Sequence, residues 1–166
     1  MIEVDGIKVH CKYDELVDLG SLLNYPKNRN HHPQGQIERL AKLYKYQGVR
    51  HPIIVDPDRG WIGAGHGRKL SAILAGMKTF PVVYQRFESD DQFHAFTVSD
   101  NASALWAELD MAGINADLAD LDPSFDIDML GIENFVLDVS DKGFDPSESI
   151  EPDKQRKLCP HCGEEL

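Results

Sequence analysis

Cysteine, basic charge and long apolar runs are all scarce in this sequence of 166 residues. Its three cysteines are an odd number, with two of them close to the C-terminus, so a disulfide framework is not expected and a reducing cytoplasm is the natural setting. No apolar run approaches the roughly 18–20 residues that a membrane-spanning helix needs, and the first residues lack the apolar stretch of a signal peptide. The sequence therefore predicts a cytoplasmic protein without a membrane partner.

Basic residues are outnumbered over the whole chain, with 17 Lys and Arg against 28 Asp and Glu and a net charge of −11. Such a chain is a poor general binder of nucleic acids or membrane surfaces, because these partners are themselves anionic. The charge is uneven, however: residues 20–86 contain 11 basic and 3 acidic residues, whereas residues 101–166 contain 4 and 16. A local anion site within the basic segment is compatible with the acidic total.

Short strands and helices are predicted to alternate irregularly along the first hundred residues. Alternating apolar and polar residues around an Asp-Gly pair predict a hairpin, a 3.6-residue apolar period predicts a long helix, and β-branched runs predict further strands. The predicted strands are 2–10 (the hairpin), 51–55, 61–62 and 80–85, and the predicted helices are 34–47, 68–75 and 90–98. Without a regular βαβ alternation, the pattern favours an α+β domain with a small mixed sheet and surrounding helices.

Three parts are expected along the chain. Residues 1–101 form the folded domain, and residues 102–139 form an acidic extension with two helical pieces, 102–112 and 114–120, in which Trp106 is a packing residue. Residues 140–166 are charged and almost without apolar content, which predicts a flexible tail.

The tail ends in Cys159 and Cys162, whose spacing is that of half a zinc ribbon. A structural zinc site needs four ligands, so a second chain could supply the other pair and make a zinc-linked homodimer. The alternative is an unliganded tail with two free thiols.

A glycine-rich stretch between a predicted strand and a predicted helix is the most informative local pattern. Gly63, Gly65 and Gly67 lack side chains, so backbone N–H groups can approach an oxyanion closely. The first turn of the following helix favours an anion, and Arg68 and Lys69 add positive charge at the same place. The pattern indicates a phosphate cradle, and its alternative is a glycine-rich turn with solvated Arg and Lys.

The order of these features resembles the N-terminal domain of the ParB family, which has the ParB/sulfiredoxin fold. Lys27-Asn28-Arg29 resembles the Asn-Pro-Arg box of that family, Gly65-His66-Gly67-Arg68 its Gly-Glu-Arg-Arg box, and Asp100-Asn101 its closing Glu-Asn. The resemblance spans about Leu16 to Asn101. Because residues 102–166 are too few and too acidic for a helix-turn-helix domain, the layout is similar to compact ParB-like proteins of phages and mobile elements.

The resemblance implies a nucleotide pocket for CTP or ATP. In ParB proteins the glycine box holds the triphosphate, the Asn-Arg box lies beside it, and the acidic-Asn pair helps to hold Mg²⁺. Carried over, Arg68 and the backbone of residues 65–67 would bind phosphate, Asn28 and Arg29 would line the pocket, and Asp100 with Asn101 would meet the metal. The alternative for this last pair is a simple helix-terminating role.

His66 is the main departure from the family pattern. His66 and Gly67 replace Glu and Arg of the ParB box, which removes one phosphate-binding charge. Sulfiredoxins carry their reactive Cys at the position of His66, so sulfiredoxin chemistry is not expected. A related serine kinase branch has a Gly-His-His-Arg-like box, and by that analogy His66 would be a catalytic residue touching a transferring phosphate. The alternative is a loop histidine on a solvated turn.

Three functions remain open from the sequence. The first is a nucleotide-binding accessory or regulatory factor in phage or mobile-element DNA metabolism, with DNA or a DNA-modifying protein as partner. The second is an enzyme (a kinase, ATPase or nuclease) that uses the Gly-His-Gly-Arg pocket. The third is an acidic interaction module with a degenerate pocket, whose last third binds a basic partner.

Overall fold

The computed structural model describes residues 2–103 and 108–131. The chain begins with the predicted hairpin, in which β1 (Ile2–Val4) pairs antiparallel with β2 (Ile7–Val9). Asp5 and Gly6 at its turn have φ angles of +50° and +82°. Two successive residues with positive φ match the right-handed twist of the flanking strands, which is why Asp-Gly connects them.

A mixed four-stranded sheet forms the centre of the domain. Its strands are β3 (Glu15–Asp18), β4 (Ile53–Val55), β5 (Ile62–Ala64) and β6 (Thr79–Tyr84), in the spatial order β3-β6-β4-β5. Strands β4 and β6 run parallel, whereas the other two pairs are antiparallel. The predicted α+β class with a small mixed sheet and surrounding helices is confirmed.

In the described residues the α-helices are α1 (Gln34–Gln47), α2 (His66–Ala75), α3 (Asp90–Ser103) and α4 (Met111–Asp117), of which α2 and α3 contact strands of this sheet. Apolar side chains from the hairpin, the sheet, α1 and α2 form one core, and Phe80 on β6 is fully buried in it against the ring of Tyr44. The core therefore fixes α1 and α2 relative to the sheet.

Among the described helices, none is long and apolar enough to cross a membrane.

Residues 125–130 of the acidic extension pack on α1. Asp126 precedes a 3-10 helix over Ile127–Leu130, and its carboxylate lies 3.0 Å from Lys42 Nζ. The ring of Phe125 contacts Tyr46 with a centroid distance of 5.6 Å. The prediction of one helix over 102–112 is wrong, because residues 108–110 are not helical and Asp110 caps the start of α4. Trp106, Cys159 and Cys162 lie outside the described residues.

Candidate functional site

Residues 24–33 form a loop that is fastened to the last turns of α3. Asn30 Nδ2 donates to Asn101 Oδ1 over 2.8 Å, and Asn101 Nδ2 in turn donates to the carbonyl of Thr97 over 2.7 Å. Within the loop, the Asn30 N–H donates to Asn28 Oδ1 over 3.1 Å, which is an Asx turn. The loop is thus shaped by its own asparagines and positioned by one on α3.

The same loop is also fastened to the first residue of α2. The backbone N–H of Tyr25 donates to His66 Nε2 over 3.2 Å, and this contact is buried. The Tyr25 hydroxyl lies 3.2 Å from His94 Nδ1 on α3. Three segments that are far apart in sequence therefore meet: the loop, the start of α2 and the end of α3.

A cleft follows this junction, and it consists of two cavities that share Asn28 and Asn30. One cavity, of about 240 Å³, lies between Lys27 and Arg29 on the loop side and α3 on the other. The second, of about 310 Å³, continues from the loop to the three histidines His31, His32 and His66. Because its walls come from residues 24–33, α2 and α3, we name this feature the loop cleft.

The start of α2 contributes free backbone donors near this cleft. Gly65 immediately before the helix has φ +105° and ψ 25°, a left-handed conformation that favours glycine, and no side chain among the described residues caps the helix. A Cβ at Gly67 would lie 2.9 Å from His32 Nδ1, so glycine here lets the loop approach the helix closely. The first N–H groups of a helix have no intrahelical acceptor and favour an anion.

His66 is neutral near pH 7. The pKa of His66 is lowered to about 4, mainly by burial and to a smaller extent by the charges of His32 and Lys69. The hydrogen-bond network assigns the tautomer: Nε2 accepts from Tyr25, so Nδ1 carries the proton. His66 can therefore donate a hydrogen bond from Nδ1, whereas its Nε2 lone pair is already used for positioning the loop.

Acidification is expected to destabilise the protein through His66. Its pKa is lowered in the folded state, so the unfolded chain takes up the proton first and stability falls as pH drops from 6.5 to about 4. At about 1.4 kcal/mol per pKa unit, the loss is expected to be about 3 kcal/mol once the pH reaches about 4. Urea unfolding across this window should show a shallower decline for His66→Gln than for the wild type. An equal decline in both would contradict the assignment.

Three of the predicted phosphate ligands, Arg68, Lys69 and Gly63, are not among the residues that line the loop cleft. Arg68 Nη1 donates to the carbonyl of Pro52 over 3.1 Å, and Arg68 lines a cavity outside the loop cleft. Lys69 Nζ donates to the carbonyl of Leu22 over 2.7 Å. A Cβ at Gly63 would lie 3.2–3.3 Å from aromatic carbons of α3, which makes Gly63 a packing position. Their roles toward phosphate stay predictions.

The two residues of the predicted magnesium pair, Asp100 and Asn101, lie on different sides of α3. Asn101 lines the loop cleft, whereas Asp100 is exposed and is not among the residues that line it. Adjacent residues of a helix do not face each other, so the two side chains do not converge on one point. Within 2–103 and 108–131, no three His, Cys, Asp or Glu side chains are grouped as metal ligands.

Sequence reasoning missed three residues that build the cleft, namely Tyr25, Asn30 and His32. Asn30 makes the hydrogen bond that joins the loop to α3, and Tyr25 makes the one that joins it to α2. All three lie close to the Asn-Arg box: Tyr25 directly precedes Pro26, and Asn30 and His32 lie in the polar loop between Pro26 and Pro33. That local density of asparagine and histidine was the available signal.

Comparison with known proteins identifies the family. No family model matches the chain. The ParB-like nuclease domain-containing protein YnaK of Escherichia coli (strain K12) is 32% identical over 74 residues, which cover 45% of this chain and 84% of that protein. The chain belongs to the ParB-like family. The predicted resemblance is thereby confirmed.

A solved structure with nucleotide bound has the same fold. The C-terminally truncated chromosome-partitioning protein ParB from Caulobacter crescentus, complexed with CTP-gamma-S, superposes with a TM-score of 0.54 at 24% identity. The match covers 62% of the present chain and 59% of the Caulobacter chain. The same protein complexed to the centromeric parS site gives a TM-score of 0.46 at 24% identity, covering 59% and 51%.

Proposed function

We propose that the loop cleft binds the phosphates of a nucleoside triphosphate, CTP or ATP. The observation that carries this proposal is the convergence of Asn28, Arg29 and Asn101 with the uncapped start of α2 around one cleft. A ParB of the same fold has been crystallised with CTP-gamma-S, which supports the choice of ligand class. On this proposal the protein is a cytoplasmic nucleotide-dependent accessory or regulatory factor in phage or mobile-element DNA metabolism, with DNA or a DNA-modifying protein as partner.

The residues present suit a polyphosphate. Lys27 and Arg29 are exposed cations in the cleft wall, and Arg can grip phosphate oxygens through two parallel hydrogen bonds. The backbone N–H groups of residues 66–68 and the Nδ1 proton of His66 are further donors. Oxygen ligands suit Mg²⁺ accompanying the triphosphate, and Asn101 is the side chain of the predicted pair that lies in the cleft.

Binding is favoured over catalysis for this cleft. The relative YnaK is called a nuclease domain protein, and an enzymatic role was one of the open alternatives. Hydrolysis at His66 would need a free lone pair to act as a base, but Nε2 already accepts from Tyr25. Metal-assisted cleavage would need a group of side chains that hold the metal. The described residues contain no group of three His, Cys, Asp or Glu side chains.

Isothermal titration calorimetry with CTP, ATP and GTP, with and without Mg²⁺, tests the proposal. We expect one nucleotide to bind and to raise the unfolding free energy by about 2.7 kcal/mol at a concentration of 100 Kd. Replacing Arg29 with alanine should weaken binding roughly tenfold, because a charge-assisted hydrogen bond is lost. Arg86→Ala is the matched control, since Arg86 is exposed and pairs with Asp58 away from the cleft.

Two results would contradict the nucleotide proposal. One is the absence of binding at millimolar concentrations of all three nucleotides. The other is an equal loss of affinity in Arg29→Ala and Arg86→Ala, which would indicate a non-specific effect of charge. If binding is found, an assay for released phosphate separates a binding protein from an ATPase.

A further inference from the structure

A second concave surface lies between the β1–β2 hairpin and the end of α1. This groove has a volume of about 380 Å³ and is lined by Lys8, His10, Lys45 and Arg50, and among the described residues Glu3 is the one carboxylate in its lining. A smaller cavity of about 70 Å³, which contains Arg68 and His51, adjoins it. The two share Tyr44 and Arg50 among their lining residues, and we name them together the basic groove.

The cations of the basic groove are not neutralised within the described part of the chain. Lys8, Lys45, Arg50 and Arg68 take part in none of the ion pairs there. Arg50 Nε donates to the carbonyl of Gln47 and Arg68 Nη1 to that of Pro52, each over 3.1 Å. A guanidinium has five N–H donors, so most of those on both arginines remain for a ligand.

A buried hydroxyl in the same place lacks a partner. Tyr44 is only 5% exposed, and no residue in the described ranges bonds its hydroxyl. A buried polar group without a hydrogen bond costs free energy, and native proteins rarely leave one unpaired. Desolvation raises the pKa of Tyr44, so its hydroxyl keeps its proton and can donate. The charge of Arg68 lowers the same pKa by a smaller amount, which indicates that the guanidinium lies near the hydroxyl. An anionic oxygen in the small cavity would accept from such donors.

Two cations of the basic groove act on the imidazole of His10. The pKa of His10 is lowered by burial first and then by the charges of Arg50 and Lys8. Beside the groove, α1 already binds an anion from its own chain, because Lys42 Nζ lies 3.0 Å from the carboxylate of Asp126. Both observations indicate that this end of α1 favours negative charge.

We propose that the basic groove is a second phosphate-binding site, which takes the phosphate groups of a polyanion. It shares no lining residue with the loop cleft, so it goes beyond the proposed nucleotide function. Free polyphosphate and the backbone of a nucleic acid carry the same oxyanion chemistry. The net charge of −11 does not oppose local binding, because a cleft lined by one sign of charge focuses its own field.

The experiment uses the full chain with two probes, inorganic pyrophosphate by calorimetry and a short fluorescein-labelled oligonucleotide by anisotropy across a salt series. The test variant carries Lys45→Gln and Arg50→Gln, and the control carries Lys78→Gln and Arg86→Gln. All four side chains are exposed, and both variants lose the same charge. Thermal unfolding confirms that each variant is folded.

We expect at least one probe to bind, and the test variant to bind it about tenfold more weakly than the control. If the oligonucleotide binds, the slope of log Kobs against log salt should become shallower by about 2 in the test variant. Binding of pyrophosphate alone identifies free phosphate as the ligand, and salt-dependent binding of the oligonucleotide identifies the backbone. Binding of neither probe at low salt, or equal losses in both variants, would overturn the proposal.

Failure here is distinguishable from failure of the nucleotide proposal. Arg29→Ala should weaken nucleotide binding and leave the groove probe unaffected, whereas the Lys45→Gln, Arg50→Gln variant should do the reverse. If both variants weaken both ligands to the same degree, the basic groove is not a separate site.

Discussion

Replacing Asp56 with alanine is expected to lower the free energy of unfolding by about 2–4 kcal/mol, because its hydrogen-bond donors lose a buried, charged acceptor. Asp56 is fully buried in the turn between β4 and β5. Its Oδ2 lies 2.6 Å from Arg59 Nη1, and its Oδ1 accepts the N–H of Asp58 over 2.9 Å. Alanine would leave the guanidinium and the turn N–H without this acceptor.

This ion pair also bears on the loop cleft. Arg59 Nε donates to Asp90 Oδ1 over 2.8 Å, so the Asp56–Arg59–Asp90 chain fixes the first residue of α3 to the turn. The other end of α3 carries Asn101, which lines the cleft. Loss of Asp56 is therefore expected to weaken nucleotide binding as well as stability.

Urea unfolding of Asp56→Ala, with Asp58→Ala as control, measures the effect. Asp58 belongs to the same turn, but its ion pair with Arg86 is exposed, and such pairs contribute about 0–1 kcal/mol. Similar losses in the two variants would show that burial of Asp56 does not carry the predicted stabilisation.

Replacing Gly48 with alanine is expected to cost about 4 kcal/mol. Gly48 follows α1 with φ +76° and ψ −179°, a region that is essentially restricted to glycine and strains other residues by about 1–3 kcal/mol. Its added Cβ would lie 2.5 Å from the carbonyl oxygen of Lys8. Relieving such overpacking costs about 1–3 kcal/mol more, and that carbonyl also accepts the N–H of Val49.

Gly76→Ala separates the two contributions. Gly76 ends α2 with φ +93°, but a Cβ there meets nothing within 4 Å. Only the left-handed conformation is penalised, so a loss of about 1–2 kcal/mol is expected in the same unfolding assay. A loss for Gly48→Ala no larger than that for Gly76→Ala would show that the contact with Lys8 relaxes freely.

Elements that depend on local sequence were predictable, and those that depend on distant partners were not. The hairpin follows from its Asp-Gly turn, and α1 follows from its apolar period. Gly48 was expected to end α1, and it does so with a positive φ. Strand β3 was missed, because its four residues become a strand only by pairing with β6, more than sixty residues later. Helix α3 was expected to end near Val98 but continues to Ser103, where Asn101 in its last turn accepts a hydrogen bond from Asn30 of the distant loop.

The candidate site shows the same division. The family boxes predicted that Asn28, Arg29, His66 and Asn101 belong together, and the structure brings them to one cleft. The direction of the Arg68 side chain could not be read from its box, because it is set by the carbonyl of Pro52, sixteen residues earlier. The contact of Asn30 with Asn101 spans 71 residues and has no local signal.

Amide chemical-shift mapping during a titration with CTP tests the central claim most directly, since it reports where the nucleotide binds as well as whether it does. We predict the largest shifts at residues 28–30, at residues 66–68 and at Asn101, with little change at Lys8 and Arg50 in the basic groove. Shifts confined to the basic groove, or no shifts at saturating nucleotide, would contradict the assignment of the loop cleft as the nucleotide site.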